Sequence, residues 1–237
     1  MKRLRPFLLA WKTFCYGIGT LLLIGAMIQA WFFSQVLWYK WFNPSSTAFM
    51  EARLETLRER DPKARLRHTW VPYERISTSL KRAVVAAEDA KFLDHEGFDW
   101  EAIQKAIEKN ERRGKVVAGA STISQQLAKN LFLSGDRSYL RKGQEAAITW
   151  MLEAVLSKRR ILELYLNVAE WGEGVFGAEA AAQHHFGNPA SGLGPGQAAW
   201  LAAILPSPRR YEKGRTTAYI AGRVATIQAR MGAAQIP

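Results

Sequence analysis

The pattern of apolar and polar positions divides the chain into two unequal parts. From Thr13 to Tyr39 there are 27 residues without a charge. As a helix rising about 1.5 Å per residue, this run would be roughly 40 Å long, enough to cross a hydrocarbon core of about 30 Å. A secretory signal carries an apolar stretch of only about 7–15 residues before a small-residue cleavage site. Here the run ends instead in Trp31, Phe32, Phe33, Trp38, Tyr39, Trp41 and Phe42, an aromatic belt suited to a membrane interface. The expectation is an uncleaved single-span anchor at 13–42 behind a basic tail at 1–12. Lys2, Arg3, Arg5 and Lys12 in that tail favour an inside N-terminus. The rest of the chain would then face the outer side of a cytoplasmic membrane.

Beyond the anchor the pattern turns to helical periodicity. Residues 43–70 read as a linker with a charged amphipathic segment from Thr47 to Arg60, broken by Pro62 and by Trp70-Val-Pro-Tyr. Residues 71–237 read as one domain. Ser79 to about Leu93 predicts a helix closed by His95-Glu-Gly97. Asp99 is placed to cap a helix carrying Trp100, Ile103 and Ile107 on one face. Residues 111–120 read as a basic, glycine-containing loop. Thr122 and Gln125 have capping-box spacing for a helix ending near Ser134-Gly135. Further helices are expected at 139–156, from Ser157 to Asn167, and near 178–186, 196–205 and 216–231, with Gly172, Gly174 and Gly177 marking a turn region. No alternating run asks for a sheet, so the expected class is all-α.

Composition narrows the partners. The 237 residues carry 33 basic and 21 acidic side chains, net +12. Without residues 1–43 the balance is 28 basic against 21 acidic, net +7. That suits an anionic partner such as a phosphate-bearing substrate or an acidic lipid surface. An outward-facing domain speaks against nucleic acid. The one cysteine, Cys15, excludes an intrachain disulfide and a cysteine zinc site. His184 and His185 are adjacent, so they point to different sides of a helix and make a poor metal pair.

Three stretches carry candidate chemistry. Leu80, Val84, Glu88 and Phe92 are spaced by four and would form one row on a helix. A carboxylate in an apolar row is desolvated, which raises its pKa towards a general base, and Asp89 beside it adds a like charge. Periodicity equally allows Glu88 a solvated place at the edge of the row. His95 reads as a hydrogen-bonded structural histidine. Ser121, Thr122, Ser124, Gln125, Gln126, Lys129 and Asn130 crowd the start and one side of the next helix. A helix N-terminus with free amides and hydroxyls suits phosphate or sugar oxygens, although a well-capped solvated helix fits the same residues. Arg137, Arg141, Lys142 and Glu145 follow, with Glu145 at i,i+3 and i,i+4 from two cations. Surface ion pairs would give that spacing, and so would a second carboxylate held ionised.

Glu88-Asp-Ala-Lys-Phe92 with His95 and Gly97, and Gly119-Ala-Ser-Thr-Ile-Ser-Gln-Gln with Lys129-Asn130, resemble the first two signature motifs of bacterial peptidoglycan glycosyltransferases. Arg141-Lys142-Gly-Gln-Glu145 and Ser157-Lys158 through Ile161 to Asn167 resemble the third and fourth. Gly174-Val-Phe-Gly177 with Ala180-Ala-Ala182, and Leu201 to Pro206, resemble the remaining conserved stretch. The resemblance covers about residues 70–211 and is nearest to the monofunctional, membrane-anchored members. Ala120 stands where the family usually has a second glycine, and Ser124 where threonine is frequent.

The resemblance implies a lysozyme-like fold with a smaller membrane-facing lobe. It also implies polymerisation of lipid II into glycan strands, with inversion at the anomeric carbon and release of the polyprenyl pyrophosphate. No Ser-x-x-Lys is present, so no transpeptidase activity is expected. Glu88 would deprotonate the acceptor 4-hydroxyl. Lys129, Arg137 and Lys142 would hold the leaving pyrophosphate, and Glu145 would orient Lys142 or Arg141 or help hold a divalent cation, Mg or Mn. Ser121, Gln125 and Asn130 join as substrate ligands, and Asp89, Phe92 and His95 as supporting residues. The expected partners are lipid II, the nascent strand, the inner membrane, and cell-wall synthesis or divisome proteins that could meet the aromatic span. A lysozyme-type hydrolase using Glu88 as acid, and a silent scaffold of the wall-assembly machinery, are the rival readings.

Overall fold

The structure is a computed structural model of the chain and describes residues 4–115, 119–133, 138–211 and 217–237. It comprises two compact units, residues 1–42 and 43–237. The first unit is the helix α1 (Leu4–Trp38) followed by a short turn. Within α1, the 28 residues Trp11–Trp38 are long and apolar enough to cross a membrane.

The second unit is built of nine helices among the described residues: α2 (Ala48–Arg58), α3 (Thr78–Glu88), α4 (Trp100–Arg113), α5 (Ile123–Phe132), α6 (Tyr139–Val155), α7 (Lys158–Val168), α8 (Ala178–Phe186), α9 (Pro195–Ile204) and α10 (Ala218–Met231). The all-α expectation holds, and most helix ends fall within a residue or two of those read from the caps. Asp99 accepts from the Ala102 N–H, and Thr122 and Gln125 form the reciprocal capping box. Two packing groups organise the unit. In one, α3, α9 and α10 lie against one another; in the other, α5 contacts α6, α7 and α2. Trp171, Tyr165, Phe92 and Phe176 are the largest fully buried side chains. In contrast, α4 buries no residue, despite its apolar stripe.

Three features differ from the sequence reading. A small sheet exists: β1 (Arg67–His68) pairs in parallel with β3 (Val175–Phe176), which pairs antiparallel with β2 (Glu170–Gly172). Strands of two or three residues are too short to leave an alternating pattern. Part of the expected 111–120 loop is helix, since α4 runs to Arg113 before Gly114 turns left-handed. Lastly, α3 stops at Glu88, not near Leu93. Asp89 leaves the helical region at φ −161°, ψ 73°, because its carboxylate is drawn to α5 and His95. Phe92 therefore does not continue the row Leu80, Val84, Glu88. It is fully buried beyond the helix end, under the ammonium of Lys158, 4.7 Å from the ring centroid.

Candidate active site

The end of α3 is pinned to the start of α5 by one buried carboxylate. Asp89 accepts from the Ile123 N–H at 3.0 Å and from His95 Nε2 at 2.9 Å. His95 Nδ1 accepts from the Gly97 N–H at 3.1 Å, so Nε2 carries the ring hydrogen. Gly97 sits at φ +91°, where a Cβ would come within 2.8 Å of Thr149 Cγ2. Its carbonyl accepts from Thr122 Oγ1 at 2.7 Å, locking this loop onto the α5 cap. Asp89 and His95 thus tie the end of α3 to the start of α5, and Phe92 is fully buried in the segment between them. A second clamp lies beside it. Glu153 accepts from Ser124 Oγ at 2.5 Å and from Lys158 Nζ at 2.8 Å, and Lys158 also donates to the His95 carbonyl at 2.5 Å.

This support presents Glu88 to α5. Glu88 accepts from the Gln126 carboxamide at 2.8 Å, and Tyr165 of α7 donates its hydroxyl to the other end of that carboxamide at 2.9 Å. Glu88 keeps part of its surface accessible, but burial of its carboxylate pushes its pKa above the ordinary value. The Gln126 hydrogen bond and the charges of Arg223 and Lys129 act in the opposite direction, while Asp89 adds to the rise. Burial pushes the Tyr165 phenol well up, so it stays a donor.

Glu145 of α6 has different company. It is buried, and its two oxygens accept from Arg141 at 2.8 Å and from Lys142. Lys129 interacts electrostatically with both sites: Glu145 and Glu88 favour its charged form, while Arg141 and Lys142 oppose it. Burial dominates, and its pKa falls below that of an ordinary lysine. A bound anion would offset that penalty.

Lys129 and Asn130 line a cavity of about 390 Å³ with Gln126, Tyr165, Arg53 and Glu170. Residues 205–210, including Ser207, Arg209 and Arg210, form another part of its wall. Glu88 is joined to this wall through Gln126. The tertiary structure thus brings Glu88, Lys129, Asn130, Lys142 and Glu145 into one neighbourhood. Ser121 is exposed ahead of the α5 cap, outside the lining of the cavity. Gln125 is buried, with its carboxamide oxygen spent on the Thr122 N–H, so its evident role is capping. Arg137 lies outside the described residues.

The residues do not fit a resident divalent cation. Both oxygens of Glu145 already accept from cations, and both oxygens of Asp89 are occupied by His95 and Ile123. Among the described residues no group of three metal-ligating side chains comes together.

Sequence reasoning assigned no role to Gln126, Tyr165, Glu153, Lys158 or Arg223. Gln126 could have been found, since it precedes Lys129 by three and Asn130 by four and so shares their helix face. Lys158 and Tyr165 lie in the 157–167 stretch that carries the resemblance, whereas Glu153 and Arg223 reach the site from distant helices and leave no local signal.

A carboxylate of raised proton affinity, a desolvated lysine on the wall of a cationic cavity and a second carboxylate held by two cations are groups that could carry acid–base chemistry on an anionic substrate. Comparison with known proteins is consistent with this. The family model described as Transglycosylase matches residues 54–232. A biosynthetic peptidoglycan transglycosylase from Azoarcus sp. (strain BH72) is 62% identical over 209 residues, covering 88% of this chain and 90% of the relative. Proteins of the same name from Nitrosospira multiformis and Bordetella pertussis are 58% and 57% identical, covering 96% and 93% of this chain and 97% and 93% of theirs. The chain belongs to the transglycosylase family and is a glycosyltransferase enzyme.

Proposed function

We propose that this enzyme polymerises lipid II into linear peptidoglycan strands by inverting glycosyl transfer, without transpeptidase activity. The observation that carries the reading is the pairing of a desolvated Glu88 with a cationic cavity wall reached through Gln126. An alcohol is a weak nucleophile at neutral pH and needs a base. Glu88, with its raised proton affinity, removes the proton from the acceptor 4-hydroxyl as that oxygen bonds to the anomeric carbon. The bond to the pyrophosphate oxygen breaks with its electron pair leaving on the diphosphate. That leaving group is already anionic and requires positive charge, not a strong acid. Lys129 and Lys142 supply it, and Arg137 is assigned there by the resemblance alone. Glu145 orients Arg141 and Lys142. Asn130 meets substrate from the cavity wall and Ser121 from ahead of the α5 cap, while Gln125, assigned to substrate by the resemblance, has only its carboxamide nitrogen left for that contact because its oxygen caps α5.

The apolar helix α1 suggests a membrane anchor and would keep the site near a substrate that stays in the bilayer. We place the N-terminus inside and the catalytic unit on the outer face of the inner membrane. Cell-wall synthesis or divisome proteins are further candidate partners for the span. The deciding experiment gives the full chain in detergent labelled lipid II, with Glu88→Gln alongside, and reads glycan products on a gel. Long products from the wild type and none from the variant are expected. Cleavage of finished peptidoglycan with no polymer formed would favour the hydrolase instead.

A further inference from the structure

We propose that Arg223 is a positioning residue for the reaction: α10 places it beside the last turn of α3, where its charge keeps the Glu88 carboxylate ionised. The inference rests on the reading of Glu88 as the base.

Three observations support it. The first is placement. α10 packs across α3, and a cavity of about 490 Å³ is lined by Ala86 and Ala87 from α3 and by Tyr219, Gly222 and Arg223 from α10. Ala87 immediately precedes Glu88, the last residue of the helix. The small side chains of Ala86 and Ala87 leave room for a guanidinium there. The second is the state of Arg223 itself. Among the described residues it has no carboxylate within ion-pair distance, and its Nε is buried without a hydrogen-bond partner. Burying part of a cation is costly unless its charge is used. The third is its reach. Of the two cations acting on Glu88, Arg223 acts more strongly than Lys129.

The groups that act on Glu88 come from four directions. Asp89 follows it in the chain, Gln126 and Lys129 come from α5, Tyr165 from α7 acts through Gln126, and Arg223 comes from α10. Asp89 opposes ionisation, and Gln126 supplies a neutral donor. Lys129 is the cation assigned to the leaving diphosphate, which neutralises its charge when bound. Arg223 is then the cation left to hold Glu88 ionised while the acceptor hydroxyl is engaged. A further cavity, of about 470 Å³, joins Arg223 and Tyr219 to Ser207 and Arg210, which also wall the main cavity. Arg223 therefore lines one cavity with the end of α3 and another with the segment that walls the main cavity.

The test measures kcat/KM against pH for the full chain with labelled lipid II, comparing wild type, Arg223→Gln, Arg223→Lys and Glu88→Gln. Losing the charge raises the proton affinity of Glu88. The acidic limb of Arg223→Gln is therefore expected to move up by roughly 0.5–1 pH unit, with activity recovering at higher pH. Arg223→Lys is expected to return the limb to its wild-type position. A folded Arg223→Gln whose rate falls equally at every pH, with the limb unmoved, overturns the inference and leaves Arg223 a packing role. If Arg223→Gln does not fold, Arg223→Met keeps the aliphatic length and is read the same way. Glu88→Gln separates the two claims. If it retains turnover, the base assignment fails and this inference with it. If it is inactive while the limb of the neutral Arg223 variant stays put, only the role of Arg223 fails.

Discussion

Glu88 accepts from a neutral carboxamide, whereas Glu145 accepts from a guanidinium and an ammonium. Both are glutamates packed at a helix surface of the same unit, and both interact with Lys129. Their surroundings separate them. Glu88 is left short of charge compensation, so its proton affinity rises and it can take a proton and give it back. Glu145 has its oxygens filled by two cations and is suited to holding groups in place. One residue type thus takes two roles according to who donates to it.

Substitutions can sharpen or break that contrast. The largest expected effect is Glu88→Gln, which keeps the shape and one acceptor oxygen but removes the base. Polymerisation should fall about 10²–10⁴-fold, measured as initial rate on labelled lipid II. Loss below tenfold would remove Glu88 from the base role.

Glu145→Gln should lower kcat/KM less, by about tenfold, the worth of one charge-assisted hydrogen bond. Separate kcat and KM values for diphosphate-bearing substrate would check it. A loss as deep as that of Glu88→Gln would make Glu145 a direct participant in bond making.

Stability should divide the two variants by sign. A carboxylate whose folded pKa is raised lowers stability as pH climbs from its unfolded pKa through the folded one. Removing the Glu88 charge should therefore leave the melting temperature at neutral pH equal to or above wild type. Glu145→Gln strips partners from two cations, one of them half-buried, and should cost about 1–3 kcal/mol. Thermal melts at pH 7 and 4.5 test this, since any gain from Glu88→Gln should shrink at the lower pH.

The smallest expected effect is Tyr165→Phe. It frees one end of the Gln126 carboxamide and forfeits a neutral hydrogen bond worth about 0.5–1.5 kcal/mol. A two- to tenfold fall in rate is expected, with the pH profile displaced less than by the neutral Arg223 variants.

How much of this was legible depended on the range of each interaction. The caps at Asp99 and Thr122 are contacts over three residues, so spacing revealed them. Glu145 with its two cations spans one helical turn and was equally readable. The early end of α3 was not. It is imposed by the bonds of Asp89 to Ile123 and His95, and nothing local predicts that a helix should yield to a partner 34 residues away. The spacing of Phe92 suggested a fourth member of the row, whereas the buried side chain packs under Lys158. Gln125 looked like a substrate ligand because it is polar at a helix start; capping consumes the oxygen that made it so.

The sequence alone determined the apolar span, the helical class and the local spacing of Glu145 with its two cations, because these rest on composition and on contacts within about a turn of chain. The tertiary structure decided which glutamate is desolvated, which is clamped, and that Tyr165, Gln126 and Arg223 surround the first. Burial and charge in three dimensions set proton affinity, and helices distant in sequence supply both.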